Sequence, residues 1–269
     1  MTAAREIAPA KLNLALHVRG KLADGRHAIE TVFAFCTDGD GLSAEPGEII
    51  SLEITGAFGG ELESADDNLA MKAACALAAG AGIERGAALK LTKNLPIASG
   101  LGGGSADAAA ALRLLTSMWG IDPLCAEDVA PTLGSDVPAC LVSLPMRGEG
   151  AGDQLTPIDL SDLSGTPVLL VNPRVSLSTA DVFARWDGED RGALGDWRDG
   201  RNDLEPAATA LVPQIGLVLA WLAAQPGATF IRMSGSGATC YAFFDSEAQR
   251  DHAADGVPRE WWRLPTFLR

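Results

Sequence analysis

The sequence predicts an α+β protein made of two lobes, and three observations predict it. Runs of period two and runs of helical period are interleaved along the whole chain, not segregated into halves. The charge and proline pattern changes between Pro145 and Gly165, which places a boundary near residues 150–165, taken as 1–158 and 159–269. With 269 residues, 47% of them apolar, the chain has material for two ordinary cores.

The elements follow in order. "KLNLALHV" sends Leu12, Leu14, Leu16 and Val18 to one side and Lys11, Asn13, Ala15 and His17 to the other, the pattern of a half-buried strand. "ADGRH" supplies a turn and "AIETVFAFCT" the returning strand; "IISLEIT" is a third strand. From Asp67, "DNLAMKAACALAAGAG" has a capping start, a helical body and a glycine stop at Gly80 or Gly82. "AALKLTKNLP" is a strand ended by proline. A glycine loop follows, then a helix with Ala108, Ala111, Leu112, Leu115 and Trp119 at helical spacing. "SDVPACLV" places Asp136 ahead of a strand, "TPVLLVN" is a buried strand, and "STADVFARW" is a short helix. Residues 187–199, rich in Gly and Asp, read as an exposed loop. A longer helix near Pro206–Ala224, the strand "ATFIRMS", the turn "GSGA" and the strand "TCYAFFD" come next. A helix from Ser246 and the strand "EWWRLP" close the chain.

Composition narrows the function. A formal charge of −14 argues against nucleic acid or an anionic membrane as the main partner. Cys36, Cys75, Cys125, Cys140 and Cys240 are odd in number, without C-x-x-C spacing, and with only three histidines they point to reduced thiols and no zinc site. Arg5, Glu6, Lys11 and Asn13 interrupt the region a signal peptide would need, and Pro213 and Gln214 break the longest apolar stretch. A cytoplasmic protein is expected.

The chemistry is concentrated in "ASGLGGGSADAAAAL". A helix start exposes four unpartnered N–H groups and about half a positive charge, and glycines let a bulky anion approach them. No lysine follows, so this is no Walker A loop. The sixth residue from Gly100 is Ser105, so it is no G-x-G-x-x-G fingerprint either. The segment is a phosphate cradle of another kind.

Pro96, Gly100, Leu101, Gly102, Gly103, Gly104 and Ser105 resemble the P-x-x-x-G-L-G-[GS]-[GS]-S loop of the GHMP kinase superfamily. That resemblance implies an ATP- and Mg2+-dependent small-molecule kinase. Its N-terminal lobe should be like the second domain of ribosomal protein S5 and carry the ATP site, and its C-terminal lobe should be ferredoxin-like. It places ATP against Pro96, Ile97, Ala98, Ser99, Gly100, Leu101, Gly102, Gly103, Gly104, Ser105 and Ala106, with Ser105 also near the metal and Asn68 and Lys93 near the adenine. By residue type alone, Lys11 on a strand face reads as a solvated lysine and Asp136 in a Ser-Asp-Val-Pro turn as a local cap. The resemblance makes Lys11 a contact of the acceptor hydroxyl and transferring phosphate, and Asp136 the group that meets the acceptor proton.

"PAKLNL", "ADG-H", "ETVF", "DNLAMKAA", "EGAGDQLTP", "RNDLEP" and "MSGSGATCYAFF", in order from Pro9 to Phe244, are similar to the branch that phosphorylates 4-diphosphocytidyl-2-C-methyl-D-erythritol. For that substrate the resemblance implies Asn13, Arg26, His27, Thr179, Phe183, Gly235, Ser236 and Gly237. The branch has "DGYH" where this chain has Asp24-Gly25-Arg26-His27; an arginine can stack on a base in place of the tyrosine. Another GHMP kinase, for homoserine or a sugar, is the alternative. Glu149 reads as a surface carboxylate rather than a metal ligand.

Overall fold

The computed structural model describes residues 4–62 and 67–269. The chain forms two compact units, neither continuous in sequence. The first comprises Met1–Ala10, Asp38–Ile97 and Gly102–Ser143, and the second Lys11–Thr37, Ala98–Leu101 and Leu144–Arg269. Two long strands, β1 (Ala4–Lys21) and β2 (His27–Gly47), contribute residues to both.

In the first unit, β3 (Ile50–Thr55), α1 (Leu69–Ala81) and β4 (Gly86–Thr92) form a crossover unit: β3 and β4 are parallel, and β4 pairs antiparallel with residues 41–47 of β2. α1 ends at Gly82, the left-handed residue, and not at Gly80. α2 (Gly103–Trp119) packs on α1, on α3 (Leu124–Leu133), which the sequence pattern did not reveal, and on α4 (Val137–Val142). α2 is buried well beyond the single face its spacing suggests, from Ala106 through Leu112 without interruption, because four consecutive alanines let neighbours approach from every side. Asp136 leads into a helix, not a strand. Pro138 in the first turn of α4 has the φ a helix start requires and no N–H to lose there.

In the second unit, β2 pairs with β5 (Met146–Glu149), and β5 with β6 (Gln154–Pro157), a hairpin the sequence reading also missed. β7 (Pro167–Asn172), α5 (Thr179–Arg185), α6 (Glu205–Leu211), α7 (Gln214–Ala223), β8 (Ala228–Met233), β9 (Cys240–Phe244), α8 (Glu247–Gly256) and β10 (Trp262–Phe267) follow. Their antiparallel sheet has the order β10-β7-β9-β8, the split β-α-β arrangement expected of a ferredoxin-like lobe. The long helix expected near 206–224 is two helices, since Pro213 cannot donate within a continuous helix and starts α7 instead.

One further expectation changes. Lys11, Asn13 and His17 on the polar side of β1 are buried, so this strand is enclosed on both faces. His17 shows how: Nδ1 donates to Gly192 O at 3.1 Å and Nε2 accepts from Arg201 N at 3.3 Å. The bond to Gly192 ties the loop 187–199 to β1; the loop is mostly exposed, as expected, with Leu194 and Trp197 buried. Among the described residues, no helix is long and apolar enough to cross a membrane.

Candidate active site

α2 begins without a cap. Gly102 holds a left-handed conformation (φ 64°), offers no side chain, and its carbonyl accepts Ala106 N at 2.8 Å. Gly103 and Gly104 therefore form the first turn of the helix instead of preceding it, with Ser105 half-buried behind them. α1 is closed differently: Asn68 Oδ1 accepts Ala70 N at 2.9 Å. That bond engages one end of the amide assigned to the adenine.

Gly103 rests on a buried ion cluster. A Cβ at this position would lie 3.4 Å from Lys93 Nζ and 3.5 Å from Asp40 Oδ2. Lys93 pairs with Asp40 and, at 2.7 Å, with Asp107 Oδ2. Asp40 Oδ1 accepts the N–H groups of Asn94 and Leu95 at 2.5 and 2.9 Å. The cluster thus joins the strand end entering the glycine loop to the helix leaving it. Burial opposes the Lys93 charge, but Asp107 and Asp40 outweigh it and raise the pKa. Burial pushes the Asp107 carboxyl up to about 7, against the pull of Lys93. Lys93 N donates to Thr55 O and its carbonyl accepts Phe58 N, so side chain and main chain are both engaged inside the unit. The geometry gives Lys93 a place under the loop.

The second unit holds the loop's entry. Pro96, in the first unit, and Ser99 are buried, Ile97 is half-buried, and Ala98 is exposed with φ 50°. Gly100 has φ 78°, and a Cβ there would fall 2.3 Å from Ser234 O and 2.8 Å from Gly237 O, so no other residue fits. Thr239 N donates to Ser99 O, Lys11 N to Leu101 O at 2.9 Å, and Ser234 Oγ to Gly100 O at 2.9 Å. The turn Gly235-Ser236-Gly237 is held by Asn202 Nδ2, which donates to Met233 O and Gly235 O at 2.9 and 2.8 Å. Ser236 Oγ lies 2.8 Å from Thr179 Oγ1, at the start of α5. Lys11 Nζ donates to Asn13 Oδ1 at 3.2 Å and sits 4.5 Å from the centre of the Phe33 ring.

His27 stacks on Phe183, centroids 4.5 Å apart and planes at 22°, and Trp186 meets His27 edge-on at 5.8 Å. Burial, with Lys21 adding to it, lowers the His27 pKa, which favours the neutral ring. Arg26 is drawn to carboxylates: Nε donates to Asp24 at 2.8 Å and an Nη to Asp153 at 3.2 Å. Trp186 therefore supplies the second aromatic neighbour of His27. Glu149 is exposed and pairs with Arg147. Asp136 stands at the start of α4 and makes no cap hydrogen bond to it.

Residues 68–143 match the GHMP kinases N terminal domain and residues 184–264 the GHMP kinases C terminal domain. A 4-diphosphocytidyl-2-C-methyl-D-erythritol kinase of Rhizorhabdus wittichii is 53% identical over 98% of this chain and 94% of its own. One of Novosphingobium aromaticivorans is 50% identical over 98% and 93%. The chain belongs to the 4-diphosphocytidyl-2-C-methyl-D-erythritol kinase family. A crystal structure of 4-(cytidine 5'-diphospho)-2C-methyl-D-erythritol kinase superposes with a TM-score of 0.85 at 29% identity, covering 98% of this chain and 99% of that one. A homoserine kinase of Cytophaga hutchinsonii, 18% identical with a TM-score of 0.66, shares the fold. The two-domain GHMP kinase architecture is thereby established, and with it a small-molecule kinase that uses ATP.

Among residues the sequence analysis did not single out, Asp40 and Asp107 join Lys93 beneath Gly103, Ser234 binds Gly100, and Trp186 meets His27. Asp107 carried a signal: a lone carboxylate inside an alanine run, two residues after Ser105, has no solvated face to occupy. Asp40 and Ser234 carried none, because their partners lie 53 and 134 residues away in sequence.

Proposed function

We propose that the protein transfers the γ-phosphate of ATP to the 2-hydroxyl of 4-diphosphocytidyl-2-C-methyl-D-erythritol, giving the 2-phosphate and ADP, a step of non-mevalonate isoprenoid precursor synthesis. The observation that carries the reading is the uncapped, glycine-first start of α2, taken with membership of a family whose named relatives are kinases for that substrate. Phosphoryl transfer needs alignment and charge neutralisation more than covalent chemistry. The amides of Gly103, Gly104 and Ser105 are aimed by α2 at an anion and complement the triphosphate.

Lys11, held by Asn13 Oδ1, brings a positive charge to the phosphoryl group in transit. Asp136, whose carboxylate does not cap α4, accepts the hydrogen of the acceptor hydroxyl. Ser105 presents a hard hydroxyl oxygen in the first turn of α2, the donor type Mg2+ prefers, and the ion would neutralise phosphate charge there. His27, Phe183 and Trp186 offer ring faces and edges for the cytosine.

A coupled ADP-release assay with a panel of alcohols tests the proposal. Turnover is expected with 4-diphosphocytidyl-2-C-methyl-D-erythritol. Turnover of homoserine or a sugar, with none of the cytidine compound, would reject it.

A further inference from the structure

We propose that Thr31 is a positioning residue: its hydroxyl fixes the orientation of the Asn13 amide and, through it, the Lys11 ammonium. The inference rests on the reading above that Lys11 acts on the transferring phosphate. All three side chains are buried, with exposures of 0%, 2% and 3% for Thr31, Asn13 and Lys11, so water does not decide their hydrogen bonds.

The direction of each bond follows from counting hydrogens. Thr31 Oγ1 lies 2.6 Å from Ala15 O, and a carbonyl can only accept, so the single hydroxyl hydrogen goes there. Oγ1 can then only accept from its other neighbour, the Asn13 amide at 2.8 Å, which must therefore present Nδ2. That leaves Asn13 Oδ1 on the opposite side, where it accepts Lys11 Nζ at 3.2 Å. The reversed amide would set an NH2 group against an ammonium, and a carbonyl oxygen against a hydroxyl with no hydrogen left. Both contacts are repulsive, so one hydroxyl decides an amide orientation that electron distribution alone leaves open.

The surroundings suit this assignment. Phe33, two residues along β2 on the same face as Thr31, offers its ring to the same ammonium. Gly235 closes on the amide from the turn Gly235-Ser236-Gly237, where a Cβ would stand 3.4 Å from Asn13 Oδ1. Tyr241 Oη donates to Asn13 O at 3.0 Å, and Asn13 N to Ser234 Oγ at 3.3 Å, so the Asn13 backbone is pinned and only its amide remains to be set.

The experiment compares wild type, Thr31→Val and Thr31→Ser. Valine keeps the shape and removes the acceptor; serine keeps the hydroxyl and removes the methyl. Thr31→Val is expected to lower kcat about ten- to a hundredfold with both KM values within about twofold, as misplacement of a reacting group does. Thr31→Ser should restore most of kcat. Wild-type kcat in Thr31→Val, or an equal loss in both variants, overturns the proposal. The side-chain amide NMR resonances of Asn13 give a readout independent of turnover. Shifted resonances with faster exchange are expected in Thr31→Val, with thermal unfolding checking that the variant is folded; unchanged resonances overturn it. If the wild type phosphorylates a different alcohol, the substrate reading fails, and the same three proteins compared on that alcohol still decide the role of Thr31.

Discussion

Three helices of the first unit start in different ways, and the contrast between α1 and the other two carries a functional lesson. α1 is closed by its own residue, with Asn68 accepting the Ala70 N–H. α2 and α4 start at Gly102 and Asp136, and neither start has a side-chain cap. An uncapped start gives up about 1 kcal/mol that a good N-cap would contribute. For α2 the missing cap is a missing side chain, and on the proposed function its amides meet the triphosphate. For α4 the residue is one of the best caps by type, yet its carboxylate makes no cap hydrogen bond. On the proposed function, α2 and α4 give up a local cap at groups that meet the triphosphate and the acceptor hydroxyl, while α1 keeps its cap and the stability that goes with it.

Replacing the carboxylate at the open start of α4 should have the largest effect. Asp136→Asn keeps the shape and removes the negative charge; kcat is expected to fall about 10²- to 10⁴-fold, with ATP affinity by direct titration nearly unchanged. An unaltered kcat would erase the contrast. Gly103→Val tests the start of α2. Its Cβ would approach Lys93 Nζ and Asp40 Oδ2, at 3.4 and 3.5 Å, and a branched side chain would crowd the bound phosphate. The ATP dissociation constant should rise about tenfold or more, a loss on the order of 1.4 kcal/mol; an unchanged constant would remove the cradle from the explanation. The smallest effect belongs to the closed start. Asn68→Ala should cost about 1 kcal/mol in urea unfolding, and a neutral result would mean that the α1 cap contributes nothing.

The two-lobed α+β class, most of the strands and helices, and the family were legible in the sequence because each depends on residues adjacent along the chain. Failures came where packing overrode local pattern. β1 alternates as a half-buried strand should, yet Lys11, Asn13 and His17 are enclosed by partners from distant parts of the chain. The partners of Arg26 and His27 were equally out of reach of the sequence: Asp153 pairs with Arg26 from 127 residues away, and Trp186 stands edge-on to His27.

By itself, the sequence determined what stays local: the periodicity of most strands and helices, the glycine that ends α1, and the strand–loop–helix setting of the glycine loop. Tertiary structure alone decided which polar groups meet. Lys93 lies under the glycine loop with two carboxylates, and the Asn13 amide donates to Thr31. The physical reason is that a hydrogen bond depends on distance and direction in space, and neither can be read from residues that the fold brings together from far apart in the chain.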